Sequence, residues 1–176
     1  MPFAPFIESD RLYIRYLSMA DFDFYYTLQS DPDTMRYIRP PELDAEVVRT
    51  RIVTLLHYAE DHPGLGSMIA CWSDTAEPVA TCVLRHVDYQ PENDLELGYV
   101  IAPDFRGRGL ATEIARALAA YAFERFDVPQ VVAVTDPDNL PSQKVLLKCG
   151  FEPKGRRFIY GSECLEFVLL RGRLVG

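Results

Sequence analysis

The 176 residues are 48% hydrophobic and 25% charged, the balance of a globular domain long enough to bury a sizeable core. A net charge of −8 argues against nucleic acid as the main partner, and no apolar run approaches the roughly 18 residues needed to cross a membrane. Met1–Asp10 has no basic region followed by an apolar stretch, so a secretion signal is not expected and the cytoplasm is the expected compartment.

In chain order, Arg11–Leu17 alternates as a strand, Ser18–Asp21 offers capping residues, and Phe22–Gln29 reads as a first helix broken by Asp31-Pro32-Asp33. Glu42–His62 is a longer helix, with Val47, Ile52, Leu55, Leu56 and Ala59 at helical spacing and Pro63-Gly64 as its stop. Ser67–Trp72 and Pro78–His86 form an expected antiparallel hairpin, and a polar connection over Asp88–Asp94 leads to a strand at Leu95–Ile101. The next helix lines up Leu110, Ile114, Leu118, Tyr121 and Ala122 on one face. Val131–Thr135 is a β-branched run suited to a buried parallel strand. A short helix follows at about Leu140–Cys149, with Pro141 in its first turn and Gly150 placed to cap its end. Phe151–Tyr160 and Cys164–Leu170 make a last hairpin around Gly161-Ser162. The order β-α-α-β-β-β-α-β-α-β-β is that of one α/β domain over residues 1–176, with a mixed sheet.

Four cysteines (Cys71, Cys82, Cys149, Cys164) show no C-x-x-C spacing and no grouping with the three histidines, so buried free thiols are expected in place of a metal site or disulfides. The charge is uneven: the first 100 residues hold 7 basic and 17 acidic side chains, the remainder 11 and 9. Such a split suits a cationic acceptor beside an anionic cofactor, or equally an ordinary solvated acidic surface.

The stretch with most chemistry is the turn Arg106-Gly107-Arg108-Gly109-Leu110-Ala111 between the Leu95–Ile101 strand and the following helix. A helix start leaves backbone N–H groups unpaired, its dipole is positive there, and glycine lets a phosphate approach the backbone. Two arginines add formal charge, so a pyrophosphate ligand is indicated. A Walker A loop would need Gly-Lys-Ser/Thr, and a dinucleotide fingerprint a third glycine near the first strand; both are missing. Glycines that merely make a strand-to-helix turn remain an alternative on this stretch alone.

Residues 131–155, VVAVTDPDNLPSQKVLLKCGFEPKG, add a strand, Asn139 at a helix start, Ser142 three residues later and Gly150-Phe151 at the helix exit. With ELGYVIAPDFRGRGLATE, this resembles the GNAT superfamily of acetyl-CoA-dependent N-acetyltransferases. The family's cofactor motif, Arg/Gln-x-x-Gly-x-Gly/Ala, is met by Arg106, Gly109 and Ala111, and its Asn-x-x-Ser/Ala motif before Gly-Phe by Asn139, Ser142, Gly150 and Phe151. SDRLYIRYLSMADFDFYYTLQSDPDTMRYI further resembles the opening of the Rim-type ribosomal-protein N-acetyltransferase branch. The likeness runs from about Ser9 to Leu170.

That resemblance implies a mixed, mostly antiparallel sheet of about seven strands with flanking helices, in which Leu95–Ile101 splays from Val131–Thr135 to admit the pantetheine. It implies that the backbone of Gly107, Arg108, Gly109, Leu110 and Ala111 cradles the pyrophosphate with Arg106 and Arg108 near its oxygens. Tyr99, Val100 and Ile101 are implied to pair with the pantetheine, an N–H of Val100 or Ile101 polarising the thioester carbonyl, and Asn139 is either a pantetheine contact or a helix cap. An amine acceptor must lose a proton, and Glu96, opposite Leu95 and Leu97 by strand alternation, is the candidate base; reaching solvent or a structural arginine is its plainer role. Many family members place a tyrosine seven residues after the asparagine to protonate the leaving thiolate; here that residue is Leu146. Ser142 is the substitute donor, or an ordinary first-turn serine.

The expected activity is transfer of an acetyl group from acetyl-CoA to a primary amine, on a protein N-terminus or a small molecule, by direct attack and without a metal. The alternative is a non-catalytic acyl-CoA-binding or interaction domain on the same fold. No membrane partner is expected, and a homodimer is left open. His57, His62 and His86 are expected at the surface or in packing, Trp72 in the core, and Arg156-Arg157 in solvent, with reach to a phosphate of coenzyme A as the alternative. Tyr37, Arg39 and Tyr160 fall in loops that the resemblance implies would flank the acceptor mouth, and receive no role.

Overall fold

The computed structural model describes residues 7–89 and 94–176. Eight strands form one sheet in the order β1-β2-β3-β4-β5-β6-β8-β7. They are β1 (Ile7–Glu8), β2 (Leu12–Tyr16), β3 (Gly66–Trp72), β4 (Pro78–His86), β5 (Leu95–Ile101), β6 (Gln130–Thr135), β7 (Glu152–Ile159) and β8 (Ser162–Leu170). The helices are α1 (Phe22–Ser30), α2 (Pro32–Met35), α3 (Ala45–Asp61), α4 (Leu110–Arg125) and α5 (Leu140–Lys148). All neighbours pair antiparallel except β5 and β6.

The seven expected strands are present, and the eighth is β1, too short for its alternation to register. The break at Asp31-Pro32-Asp33 is real, but the Asp31 side chain accepts from the Thr34 N–H and starts the single turn of α2. Residues 90–93 of the expected polar connection, and most of the Met1–Asp10 reading, lie outside the described residues.

Each sheet face carries its own core. On one side Leu110, Ile114, Leu118 and Ala122 of α4 pack on Leu95, Leu97 and Val131, with Leu146 and Phe151 behind them. On the other, Val48 and Ile52 of α3 and Tyr25 of α1 cover Leu17, Ile69 and Cys71. The expected face of α3 holds at Ile52, Leu55 and Leu56 but not at its first position: Val47 is 43% exposed, and Val48, one turn before Ile52, is buried in its place. The four cysteines are buried and free. Trp72 sits at the edge of the first core, edge-on to Phe105 and under the Arg11 guanidinium. Arg156 and Arg157 are exposed, as expected, and also pair with Glu163 and Glu166 across the β7–β8 hairpin. Among the described residues no helix is long and apolar enough to cross a membrane.

Candidate functional site

β5 pairs with β4 along its whole length, from Ala80↔Ile101 to His86↔Leu95. With β6 it keeps only two partners, Leu95↔Val131 and Glu96↔Val132. Beyond them β6 stays with β8 through Thr135, so the two strands part and a gap opens through the sheet. A cavity of about 730 Å³ occupies the gap and reaches both faces. Tyr99, Asn139, Ser142 and Leu146 line it on the α5 side; Glu96, Arg85, Tyr160 and residues of α1 and α3 line it on the other.

Strand alternation sets which backbone groups face the gap. The Ala102 N–H donates to the Val79 carbonyl, which turns even-numbered groups of β5 toward β4. The N–H groups of Tyr99 and Ile101 therefore face the gap, and that of Val100 faces β4. Across the gap the Thr135 hydroxyl is buried without a hydrogen-bond partner among the described residues.

The turn after β5 has open anion-binding geometry. Gly107 and Gly109 take φ of +74° and +77°, the left-handed region that glycine occupies without strain. A Cβ at Gly107 would meet nothing within 4 Å, and one at Gly109 only the Arg11 Nη2 at 3.8 Å. Gly109 precedes α4 with no side-chain cap, and the first α4 bond is Glu113 N–H to the Gly109 carbonyl, which leaves the N–H groups of Leu110 and Ala111 directed outward. The arginines brace this loop: Arg106 donates to the Ile101 carbonyl at 3.2 Å and the Thr34 hydroxyl at 2.8 Å, and Arg108 to the Asp104 carbonyl at 3.0 Å. Arg11 ties the loop to β2, donating to the Arg108 carbonyl and pairing with Glu113 at 2.7 Å. Burial opposes ionisation of Glu113, but the Arg11 N–H, the Ser9 hydroxyl and the Arg11 guanidinium outweigh it and hold the carboxyl below its usual range. Neither Thr34 nor the Arg11–Glu113 pair carries a signal in the sequence.

At the start of α5 the Asn139 side chain accepts from the Ser142 N–H at 3.2 Å, so it is a helix cap. The Ser142 hydroxyl lies 3.1 Å from the Tyr99 hydroxyl. Burial pushes the Tyr99 phenol far above its ordinary value of 10.0, only partly offset by the Ser142 bond, so it remains a proton-bearing group. Leu146 is buried and presents only carbon.

On the opposite face Glu96 is 4% exposed. Its Oε1 accepts from Arg85 Nη2 at 2.8 Å and Nε at 3.2 Å; its Oε2 accepts from the Tyr160 hydroxyl at 2.8 Å. The expected separation from Leu95 and Leu97 holds, since both lie in the α4-side core. Tyr160 gets there through an unusual turn. The β7–β8 loop is Tyr160-Gly161, one residue earlier than expected, and both residues have positive φ (+54° and +81°). A two-residue loop of that kind matches the twist of a hairpin, and the left-handed tyrosine is held by the bond to Glu96. Burial, then the Glu96 charge, push the Tyr160 phenol well up, so it donates.

His62 and His86, expected in surface or packing roles, meet at the cavity wall with ring centroids 5.1 Å apart, and the Tyr58 hydroxyl lies 3.1 Å from His86 Nδ1. Burial and His62 hold the His86 imidazole below its ordinary 6.5. His57 is exposed and takes no part.

The comparisons with known proteins agree with this geometry. Residues 11–152 match the model of the acetyltransferase (GNAT) domain family. YnaD, an uncharacterized N-acetyltransferase of Bacillus subtilis (strain 168), is 27% identical over 158 residues, covering 85% of this chain and 84% of its own. The spermidine N(1)-acetyltransferase of Escherichia coli (strain K12) is 22% identical over 142 residues, covering 81% and 73%. The solved ribosomal-protein-S5-alanine acetyltransferase of Vibrio fischeri superposes with a TM-score of 0.75 over 98% of this chain and 100% of that one, at 14% identity, a likeness of fold. With a splayed strand pair, an open glycine turn and a family match over most of its length, the chain belongs to the GNAT acetyltransferase family, an N-acetyltransferase whose donor is acetyl-CoA.

Proposed function

We propose that the chain, as one domain over residues 1–176, acetylates a primary amine by direct attack on the acetyl-CoA thioester, with Glu96 taking the amine proton. The observation that carries this reading is the gap between β5 and β6, whose two mouths bear different chemistry. Bound acetyl-CoA supplies the activated acyl group. Gly107 to Ala111 offer backbone N–H groups to its pyrophosphate, with Arg106 and Arg108 shaping the loop and adding charge. Asn139 holds the start of α5 in place.

The N–H groups of Tyr99 and Ile101 face the gap and are the donors available to the pantetheine and the thioester oxygen. Val100 contributes by its place in the strand, with its own N–H committed to β4. A preorganised donor of this kind is worth about 3–4 kcal/mol of barrier. Glu96 keeps lone pairs free beyond those used by Arg85 and Tyr160, because a carboxylate has about four acceptor sites. It accepts the proton directly or through a water in the cavity. Leu146 cannot protonate the leaving thiolate, and the paired hydroxyls of Ser142 and Tyr99 take that position. Four buried free thiols support a reducing compartment, the cytoplasm.

The rival reading, a non-catalytic acyl-CoA-binding domain, draws on Leu146. A thiol-release assay with acetyl-CoA and a broad amine panel separates the two. Amine-dependent release supports transfer; tight acetyl-CoA binding with no release across the panel supports the rival.

A further inference from the structure

The face of the cavity that holds Glu96 is unexpectedly basic for so acidic a chain. Arg39, Arg51 and Arg85 all line it. Two of them are engaged: Arg85 with Glu96, and Arg51 with the Gln29 Oε1 at 2.9 Å and, more distantly, Glu42 Oε2 at 3.9 Å. The Arg39 backbone N–H closes the end of α2 on the Met35 carbonyl, but its guanidinium makes no hydrogen bond or ion pair with any described residue. The groups that act on it are Arg51 and Arg85, which repel it, and Tyr25. Burial and these like charges push its guanidinium below the ordinary arginine value. Arg39 is exposed at the cavity wall, so its guanidinium is open to a ligand entering from solvent. A partly desolvated, unpaired arginine beside another arginine is a ready receptor for a planar or tetrahedral anion.

We propose that Arg39 and Arg51 form an anion subsite for the acceptor, so the amine that is acetylated carries a carboxylate or phosphate-type group. The proposal rests on the amine-acetylation reading above and specifies its substrate class. The site is then bipolar: the Glu96 carboxylate faces the amine, and the arginines hold the acceptor's negative end. Polycations, the acceptors named for the spermidine relative, are disfavoured because their second charge meets Arg39.

The test uses three matched sets on the intact chain: amino carboxylic acids, aminophosphonates, and the same amines without the acid group, with spermidine added. Steady-state thiol release is measured alongside isothermal titration of the acid-bearing probes in the presence of CoA. The expected result is a KM about tenfold to a hundredfold lower for an anion-bearing set, the span of a charge-assisted hydrogen bond. Preference between the two acid sets tells carboxylate from phosphate. Arg39→Gln is expected to raise KM for that set by at least about tenfold, with kcat little changed and no effect on the acid-free amines. Arg39→Lys restores part of the loss. Equal or better use of spermidine or the acid-free amines overturns the anion subsite while leaving amine acetylation standing. If no amine of any class releases thiol, amine acetylation fails, and the subsite is still decided by titration: acid-probe binding lost in Arg39→Gln supports it, and binding absent or unchanged overturns it.

Discussion

Replacing Glu96 with Gln is the sharpest perturbation of the proposed chemistry, because it removes the proton acceptor and nearly keeps the shape. The amide oxygen can still accept from Arg85, and Tyr160, which now donates to Oε2 at 2.8 Å, can turn to accept from the amide N–H. The lost ion pair is modest in stability. The Arg85 side chain is 39% exposed, so solvent screens it and the cost is about 1 kcal/mol, a fall in melting temperature of roughly 2–4 °C. Loss of a general base costs about 10²- to 10⁴-fold. The lower end applies, since a cavity of about 730 Å³ admits water that can take the proton in place of the carboxylate. We expect kcat to fall about 100-fold at neutral pH. The Kd for acetyl-CoA should stay within about twofold, because Glu96 lies across the sheet from Asn139 and Ser142. Thiol release under saturating donor, paired with calorimetric titration of acetyl-CoA, reads both numbers. Turnover within about twofold of the wild type across the pH range would refute Glu96 as the base and leave it a structural partner of Arg85.

Further perturbations reach other parts of the account. Gly109→Ala forces a Cβ into a φ of +77°, and is expected to cost about 1–2 kcal/mol in denaturant unfolding and to weaken acetyl-CoA binding by distorting the loop. Tyr99→Phe and Ser142→Ala each remove one hydroxyl of the leaving-group pair; each should lower kcat by roughly tenfold and the double variant by more, read by thiol release, whereas retained activity in both makes water the thiolate's proton source. Asp21→Asn breaks the buried pair with Arg15 at 2.7 Å and should lower stability by about 3 kcal/mol in a melting experiment. Burial raises the Asp21 carboxyl, but Arg15 and Ser18 outweigh it and the net direction is down from 3.8; the pair's stabilisation is therefore complete above that unfolded value and lost as pH falls through the lower folded one, a loss that the Asn variant should not show.

Much of the donor side is legible in the sequence because its chemistry is local. Gly107, Gly109 and Ala111 lie between a strand and a helix start, and Asn139 and Ser142 sit three apart at another helix start, so each group is visible as a local motif, and the family resemblance joins the two into one donor site. The acceptor side is made by long-range placement. Arg85 reaches Glu96 across an antiparallel pair whose register no local pattern gives. Tyr160 reaches it from a hairpin 64 residues away, by way of a left-handed tyrosine that propensity disfavours. Thr34 under Arg106, and Arg39 beside Arg51, depend on how α2 and α3 lie on the sheet. The slip on α3 has a different cause: Val47 and Val48 are equivalent in type, but spacing of four from Ile52 selects the second, as the packing shows. Long-range placement also explains Val100, whose N–H direction follows from the single bond between Ala102 and Val79.

The central claim is that acetyl-CoA lies in the gap between β5 and β6 with its pyrophosphate on the turn after β5. Amide hydrogen exchange with and without acetyl-CoA tests it most directly. The account predicts new protection concentrated in the peptides spanning residues 97–112 and 139–146, with the amides of Tyr99, Ile101, Leu110 and Ala111 among those slowed. Protection confined to other parts of the chain, with these two segments unchanged at saturating acetyl-CoA, would contradict it.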